Sequence, residues 1–318
     1  MTPAVVGIGT TPFARRTRAS ASALAARAIE AAVRDARIGF DEIDGLVRFD
    51  RGAAWEYDLP GVMRLRALDY YGAVPDGPGS APALVRLAAM AVSLGLARVV
   101  VGYHARTEAR PGAAAVLHAA ALLARRQEPR VAAITRALRR AATRNPRALN
   151  GAIPSAAGGC AFVMSALERS GRPWRKPVRV LGSMQAAIPS ASHHLVAWLA
   201  SRREGVLRAA ARRLYREARL RPADVDVACL YAAPGTLVLP ALGDYGLAER
   251  GAAGLPRRPR VNPHGGQLEA SLDGINDVIE AVRQLRGEAA SQVRGARIAL
   301  VAGSPLEPTS AVLLGVPA

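Results

Sequence analysis

Phenylalanine, tyrosine and tryptophan together supply only 4% of this 318-residue chain, which also holds just two cysteines and five histidines. A core so poor in rings must be filled by alanine, leucine and valine, small side chains that let helices lie close against a sheet. Cys160 in AGGCAFVM and Cys229 in DVACLYAA sit in apolar surroundings, so each reads as a small buried hydrophobe. Two such cysteines exclude a disulfide-stapled scaffold, and they lack metal-ligand spacing, so no metal is expected. No uncharged apolar run approaches the roughly 18 residues of a membrane span, because Arg86 and Arg98 interrupt the longest one. The opening MTPAVVGIGTTPF has neither a basic flank nor a cleavage-like segment, so it reads as a first core strand of a cytoplasmic protein. Acidic residues are scarce as well: 25 Asp and Glu face 43 Lys and Arg, a net charge of +18. Such a field attracts anions. Its arginines are spread along helical stretches such as ARRLYREARL, without a basic tail or interleaved stacking aromatics, which argues against nucleic acid.

What is present is α/β patterning over a chain that is half apolar. Residues 4–9 predict a strand and Ser20 to Asp35 a helix, with Ser20 or Ser22 as the cap and Gly39 at the exit. Asp50 to Asp76 lacks a sustained period and is expected to be loop around one helical turn near Val62 to Leu68. Ser80 to Leu94 predicts a helix, and ARVVVGYH a strand buried on both faces. Helical pieces are expected between Val116 and Arg144 and again from His193 to Arg219.

The most informative local feature is an echo. DARIGFDEIDGLV at 35–47 recurs as EARLRPADVDVAC at 217–229: a helix end, a turn, then an acid-apolar-Asp triplet entering a strand. The helix-strand unit Ser80 to Gly102 is likewise matched by Gly274 to Ala302. Two similar halves facing each other across a pseudo-two-fold axis account for both; the expected halves are 1–185, including a shortened cap region, and 186–318.

The densest glycine-polar signature is RPRVNPHGGQLEASLDGIND at 258–277. Gly265 and Gly266 allow close backbone approach to a ligand, and the helix start after Gly274 offers free amides to an oxyanion or phosphate. His264 either donates to a carbonyl oxygen there or ties down its own loop. Tyr231, at the end of DVACLY, is either a donor into the same crevice or a buried structural ring. Asp273 is a weaker proton-transfer candidate. Ser80 reads as a helix cap beside the site, and His104 sits at a strand end, where α/β sheets place ligands. Arg106, Glu108 and Arg110 read as an ion-paired loop.

Together VVGIGTTPF, DARIGFDEIDGLV, LAAMAVSLGLARVVVGY, NPRALNG, ADVDVACLYAAPGTLVLPALGDYGL and VNPHGGQLEASLDGINDVIEAVRQLRGEAASQVRGARIALV resemble the thiolase superfamily. The branch they resemble is the actinobacterial lipid-transfer-protein-like group, which includes aldolases cleaving steroid side-chain acyl-CoA thioesters. The resemblance implies a five-layer αβαβα fold and a dimer or hetero-oligomer handling acyl-CoA. It also implies no tightly bound cofactor and a partner with a zinc ribbon and an OB domain. GPGSAP stands where a thiolase carries its nucleophilic cysteine, Asp273 where a second family histidine is expected, and the stretch between Asn150 and Gly158 is short. The implied activity is retro-aldol C–C cleavage without a cysteine nucleophile, served by His264, Tyr231 and Asp273, with Gly265, Gly266, Ser80 and His104 at the CoA ester. The alternative implied by the missing groups is a catalytically silent partner subunit.

Overall fold

The computed structural model describes residues 1–14, 16–50, 58–65, 67–77, 79–107, 132–133, 136–137, 140–141, 157–168, 174, 176–187, 204–232, 237–248, 255–266, 272–304 and 309–317. In chain order the first half contains β1 (Pro3–Thr10), α1 (Ala21–Ala36), β2 (Gly45–Phe49), α2 (Asp58–Met63), β3 (Tyr70–Val74), α3 (Ala81–Ser93), β4 (Val99–Arg106) and β5 (Gly158–Ala166). The second contains β6 (Val178–Ala186), α4 (Glu204–Glu217), β7 (Val227–Leu230), α5 (Val238–Asp244), β8 (Arg260–Val261), α6 (Ile275–Arg286), β9 (Ile298–Ala302) and β10 (Thr309–Gly315). The strands run in the order β3-β2-β4-β5-β1-β6-β10-β9-β7-β8, so the second half repeats the first in mirror sequence along the sheet.

β1 and β6 meet through only the pairs Ala4↔Arg179 and Val5↔Val178, after which each strand follows its own half. Among the described residues this gives three apolar cores. In one, α1 covers β1, β4 and β5 with Ala25, Ala28, Ile29 and Ala32. In its counterpart, α4 covers β6 with Ala211 and Leu214. The third is central and holds α3 and α6 between residues of both halves, from Val47 and Phe162 to Val227 and Val301. This is the expected thiolase-like α/β arrangement of five αβαβα layers. We propose that the repeat boundary lies between Ala166 and Val178 instead of after residue 185, because β6 stands in the second half where β1 stands in the first.

Small residues permit the layering. An added methyl at Gly9 would lie 2.1 Å from the Ala28 carbonyl oxygen and 2.5 Å from the Ala32 nitrogen, so α1 rests directly on the β1 backbone. The repeated aspartates act identically. Asp44 Oδ1 accepts the amides of Arg98 (2.9 Å) and Val99 (2.7 Å), and Asp226 Oδ2 accepts those of Arg297 (2.8 Å) and Ile298 (3.1 Å). Each carboxylate thus satisfies the exposed start of the neighbouring central strand. Asp44→Ala and Asp226→Ala are each expected to lower unfolding free energy by about 1–3 kcal/mol, the cost of stranded amides, with additive losses in the double variant in urea titrations.

Two sequence expectations change. β3 is an edge strand inside the segment expected to be loop, paired in parallel with β2 from Gly45↔Tyr70 to Phe49↔Val74. Ser80 occupies the first cap position of α3, yet its side chain makes no capping bond, whereas Ser20 caps α1 by accepting the Ala23 amide at 3.1 Å. Most of the helical region expected over Val116 to Arg144, and the start of that expected from His193, lie outside the described residues, as do His118, His193 and His194. No described helix is long and apolar enough to cross a membrane.

Candidate functional site

The two central helices begin at the same place. A methyl on Gly303, just after β9, would lie 2.6 Å from the Gly79 Cα, and the Ser310 hydroxyl donates to the Gly79 carbonyl, so the second half grips the entry to α3. A methyl on Gly274, which opens α6 with φ 89°, would lie 3.4 Å from Ala81 Cβ and 3.8 Å from the Tyr231 ring. Neither helix start is capped by its own N-cap side chain. The structure therefore brings Ser80, Tyr231 and the Asp273-Gly274 turn together at the shared start of the two helices.

His104, at the end of β4, reaches the same point. Its Nε2 lies 3.1 Å from Asp273 Oδ2, and its ring is tilted against Phe49 with centroids 4.4 Å apart. Arg106, two residues on and on the same strand face, donates to the same Asp273 oxygen and lies 3.9 Å from Asp76. Asp76 is placed by its own amide, which donates to Asp50 Oδ1 at 2.7 Å. The ion-paired loop of Arg106, Glu108 and Arg110 expected from sequence falls on Glu108 and Arg110, which lie outside the described residues. Sequence reasoning did not single out Asp76. Its signal was the Asp-Gly turn directly before α3, but only the fold shows that this turn faces α6.

The two carboxyls are driven apart. Burial and then the neighbouring Asp273 charge push the Asp76 carboxyl upward, against His104 and Arg106. Burial also opposes ionisation of Asp273, but its hydrogen bond to His104 and the charge of Arg106 outweigh that and hold it below the ordinary carboxylate value. The cluster thus holds two carboxyls of opposite pKa shift and an imidazole close together, a set able to take and return one proton. Asp76, His104 and Asp273 also present donor atoms within 4.8 Å of one another, a spacing open to a divalent ion. Arg106 supplies a positive charge at that spot from the chain itself.

The VNPHGG loop is anchored to the end of β7. The Asn262 side-chain amide accepts the Leu230 amide at 2.7 Å and donates to the Leu230 carbonyl at 2.8 Å, extending the edge of β7. Gly265 (φ 100°) and Gly266 (φ 63°) follow in backbone conformations that disfavour side chains. His264 is 1% exposed, and its Nε2 lies 3.0 Å from Asp277 Oδ1 in the first turn of α6. The Cys229 thiol acts on the same ring. Burial works against charge on this imidazole, yet the bond to Asp277 and the Cys229 thiol prevail and its pKa stands well above the usual 6.5. A raised folded-state pKa contributes stability fully below about 6.5, and that stability is lost as pH rises toward the folded value. In denaturant titrations the wild type should therefore lose its advantage over His264→Gln as pH increases above neutrality.

Cys160, opposite His104 in the β4–β5 register, and Cys229 are both fully buried. Burial first, and nearby acids after it, push the Cys229 thiol up to about 11 even though His264 pulls it down. Both thiols should resist Ellman's reagent in the native protein and react only in denaturant.

A duplicated α/β architecture with two central helices beginning beside a cluster of two aspartates, a histidine and an arginine is a thiolase-type fold. Residues 192–314 match the family model described as "Thiolase C-terminal domain-like". The chain is 29% identical to a 17-hydroxy-3-oxo-4-pregnene-20-carboxyl-CoA lyase of Mycobacterium tuberculosis, over 98% of each chain. It is also 29% identical to a steroid side-chain-cleaving aldolase of Thermomonospora curvata, over 98% of this chain and 97% of the other. Among solved structures, an "Ltp2-ChsH2(DUF35) aldolase" superposes with a TM-score of 0.86 at 28% identity, covering 99% of this chain and 98% of that one. Along nearly its whole length the chain is thus similar to these thiolase-like steroid aldolases, and its C-terminal part matches the thiolase family model.

Proposed function

We propose that the protein is an acyl-CoA lyase that breaks a carbon–carbon bond by retro-aldol chemistry in a β-hydroxyacyl-CoA carrying a steroid-like ring system. The observation that carries this reading is the Asp76–His104–Asp273–Arg106 group at the shared start of α3 and α6. The Asp273–His104 pair takes the proton of the substrate's β-hydroxyl. As the oxygen becomes a ketone, the bond to the α-carbon breaks and its electron pair passes into the thioester as an enolate. The amides at the two helix starts and the Tyr231 hydroxyl stabilise that oxyanion. Asp76, whose pKa is raised by burial and by the Asp273 charge, returns a proton to the α-carbon, so the hydroxyl proton is replaced with no net change. Ser80, Gly265 and Gly266 shape the thioester's entry. His264 acts through Asp277 by fixing the first turn of α6.

The names of the related lyase and aldolase support the substrate class, and the paired name of the solved aldolase supports a second protein in the assembly. We assign this chain a zinc-ribbon/OB-domain partner of that kind, a dimeric or hetero-oligomeric state, and a cytoplasmic location. The test is incubation of the purified chain, alone and with the co-expressed partner, with a steroid β-hydroxyacyl-CoA. Ketone and shortened acyl-CoA should form in equal amounts. Absence of both products from the assembled complex overturns the reading and leaves a scaffold role.

A further inference from the structure

The parallel strands β7, β8 and β9 place their C-terminal ends at the shared start of α3 and α6; a polar concavity lies at their other end. Asp226, Arg257, Arg258, Arg260, Gln292 and Arg294 line it, and its volume is about 470 Å³. All four arginines are exposed. Asp226 is the only acid among the described residues of the lining, and it is already engaged by the amides of Arg297 and Ile298 and by Arg258 at 2.5 Å. Arg257, Arg260 and Arg294 have no carboxylate partner among the described residues.

The frame under these charges is fixed. β8 is hydrogen-bonded to β7 through the Arg260 amide and the Asp226 carbonyl at 2.8 Å. The turn carrying Arg294 is held by Gln292, which donates to the Gln284 carbonyl at 2.9 Å, and by the Val293 amide, which donates to Gln284 Oε1 at 2.8 Å. Val293 packs into the central core. A charged loop free in solvent would hold its guanidinium groups apart; here two anchored segments line one recess with arginines.

We propose that this recess is a binding site for a small ligand carrying a diphosphate group, separate from the reacting cluster. Guanidinium forks match phosphate oxygens in pairs, and the two oxygen-rich groups of a diphosphate can engage Arg257 and Arg260 on one wall and Arg294 on the other. The volume falls in the range of small-ligand pockets, about 300–1,000 Å³, and is too small for a folded partner. The inference does not depend on the retro-aldol reading.

The test is calorimetric titration of the full chain with inorganic pyrophosphate and, separately, with ADP. One saturable equivalent is expected, weakening with added salt, with affinity reduced about tenfold or more in Arg260→Ala/Arg294→Ala and unchanged in Asp273→Asn. Tighter binding of ADP than of pyrophosphate identifies a nucleoside diphosphate as the source; equal binding identifies the diphosphate alone. The proposal is overturned by absence of saturable heat, by equal affinity in the double-arginine variant, or by a short DNA duplex displacing pyrophosphate at lower concentration than ADP. The substituted side chains are exposed, so a thermal melt matching wild type confirms that any lost affinity is local.

Discussion

Asp273→Asn is expected to lower kcat for a β-hydroxyacyl-CoA by roughly 10²- to 10⁴-fold, the range for loss of a positioned acid-base group, while leaving the fold intact. Asparagine is the replacement of choice because Asp273 has φ 54°, a conformation that asparagine tolerates better than other side chains. The amide retains shape but removes the charge that orders His104 and balances Arg106. It also removes the charge that helps raise Asp76. The residual activity of the variant should therefore show its Asp76-dependent limb shifted to lower pH, because Asp76 then faces Arg106 and His104 without a competing anion. A variant in which kcat falls but the pH profile keeps its shape would assign Asp273 a purely structural role. His104→Ala should match the loss in kcat without moving that limb the same way, since it deletes a group that lowers the Asp76 pKa.

The second large effect is on stability. Gly9→Ala should cost about 3 kcal/mol or more, at the upper end of overpacking substitutions, because the new methyl meets backbone atoms of α1 at 2.1 and 2.5 Å instead of a movable side chain. Gly7 and Gly159 meet the same helix, at 2.2 Å from the Ala32 carbonyl and 2.5 Å from the Leu24 carbonyl. The whole outer layer of the first half thus depends on bare backbone beneath α1. In urea unfolding followed by circular dichroism, Gly9→Ala should shift the midpoint strongly. Gly243→Ala, where no atom lies within 4 Å of the added methyl, should shift it little. Equal midpoints would show that α1 rides higher on the sheet than described.

The duplicated fold was legible because its repeat is written in local chemistry. The acid-apolar-Asp triplets at 42–44 and 224–226 announce a turn entering a strand, and Asp44 and Asp226 then bond the adjacent strand in the same manner. β3 was not legible. YYGAV is a five-residue edge strand whose outward positions stay exposed, so it carries neither a long apolar run nor a clean alternation. β8, with two residues, is too short to have any period. Within the site, the VNPHGG loop stood out by its glycines, but glycine spacing reports backbone shape and not what the backbone faces. That loop builds the end of β7 and buries His264 against Asp277. Asp76 and Arg106 belong to segments separated in sequence from Asp273, and only the meeting of β4, the α3 entry and α6 gives them a shared role.

The central claim is that carbon–carbon cleavage at this cluster runs through the Asp273–His104 group and needs no thiol. Its most direct measurement is the kcat of a cysteine-free variant, Cys160→Ala/Cys229→Ala, beside that of Asp273→Asn on the same β-hydroxyacyl-CoA. The account predicts near wild-type turnover in the first and almost none in the second. Turnover abolished in the folded cysteine-free variant but retained by Asp273→Asn would contradict it.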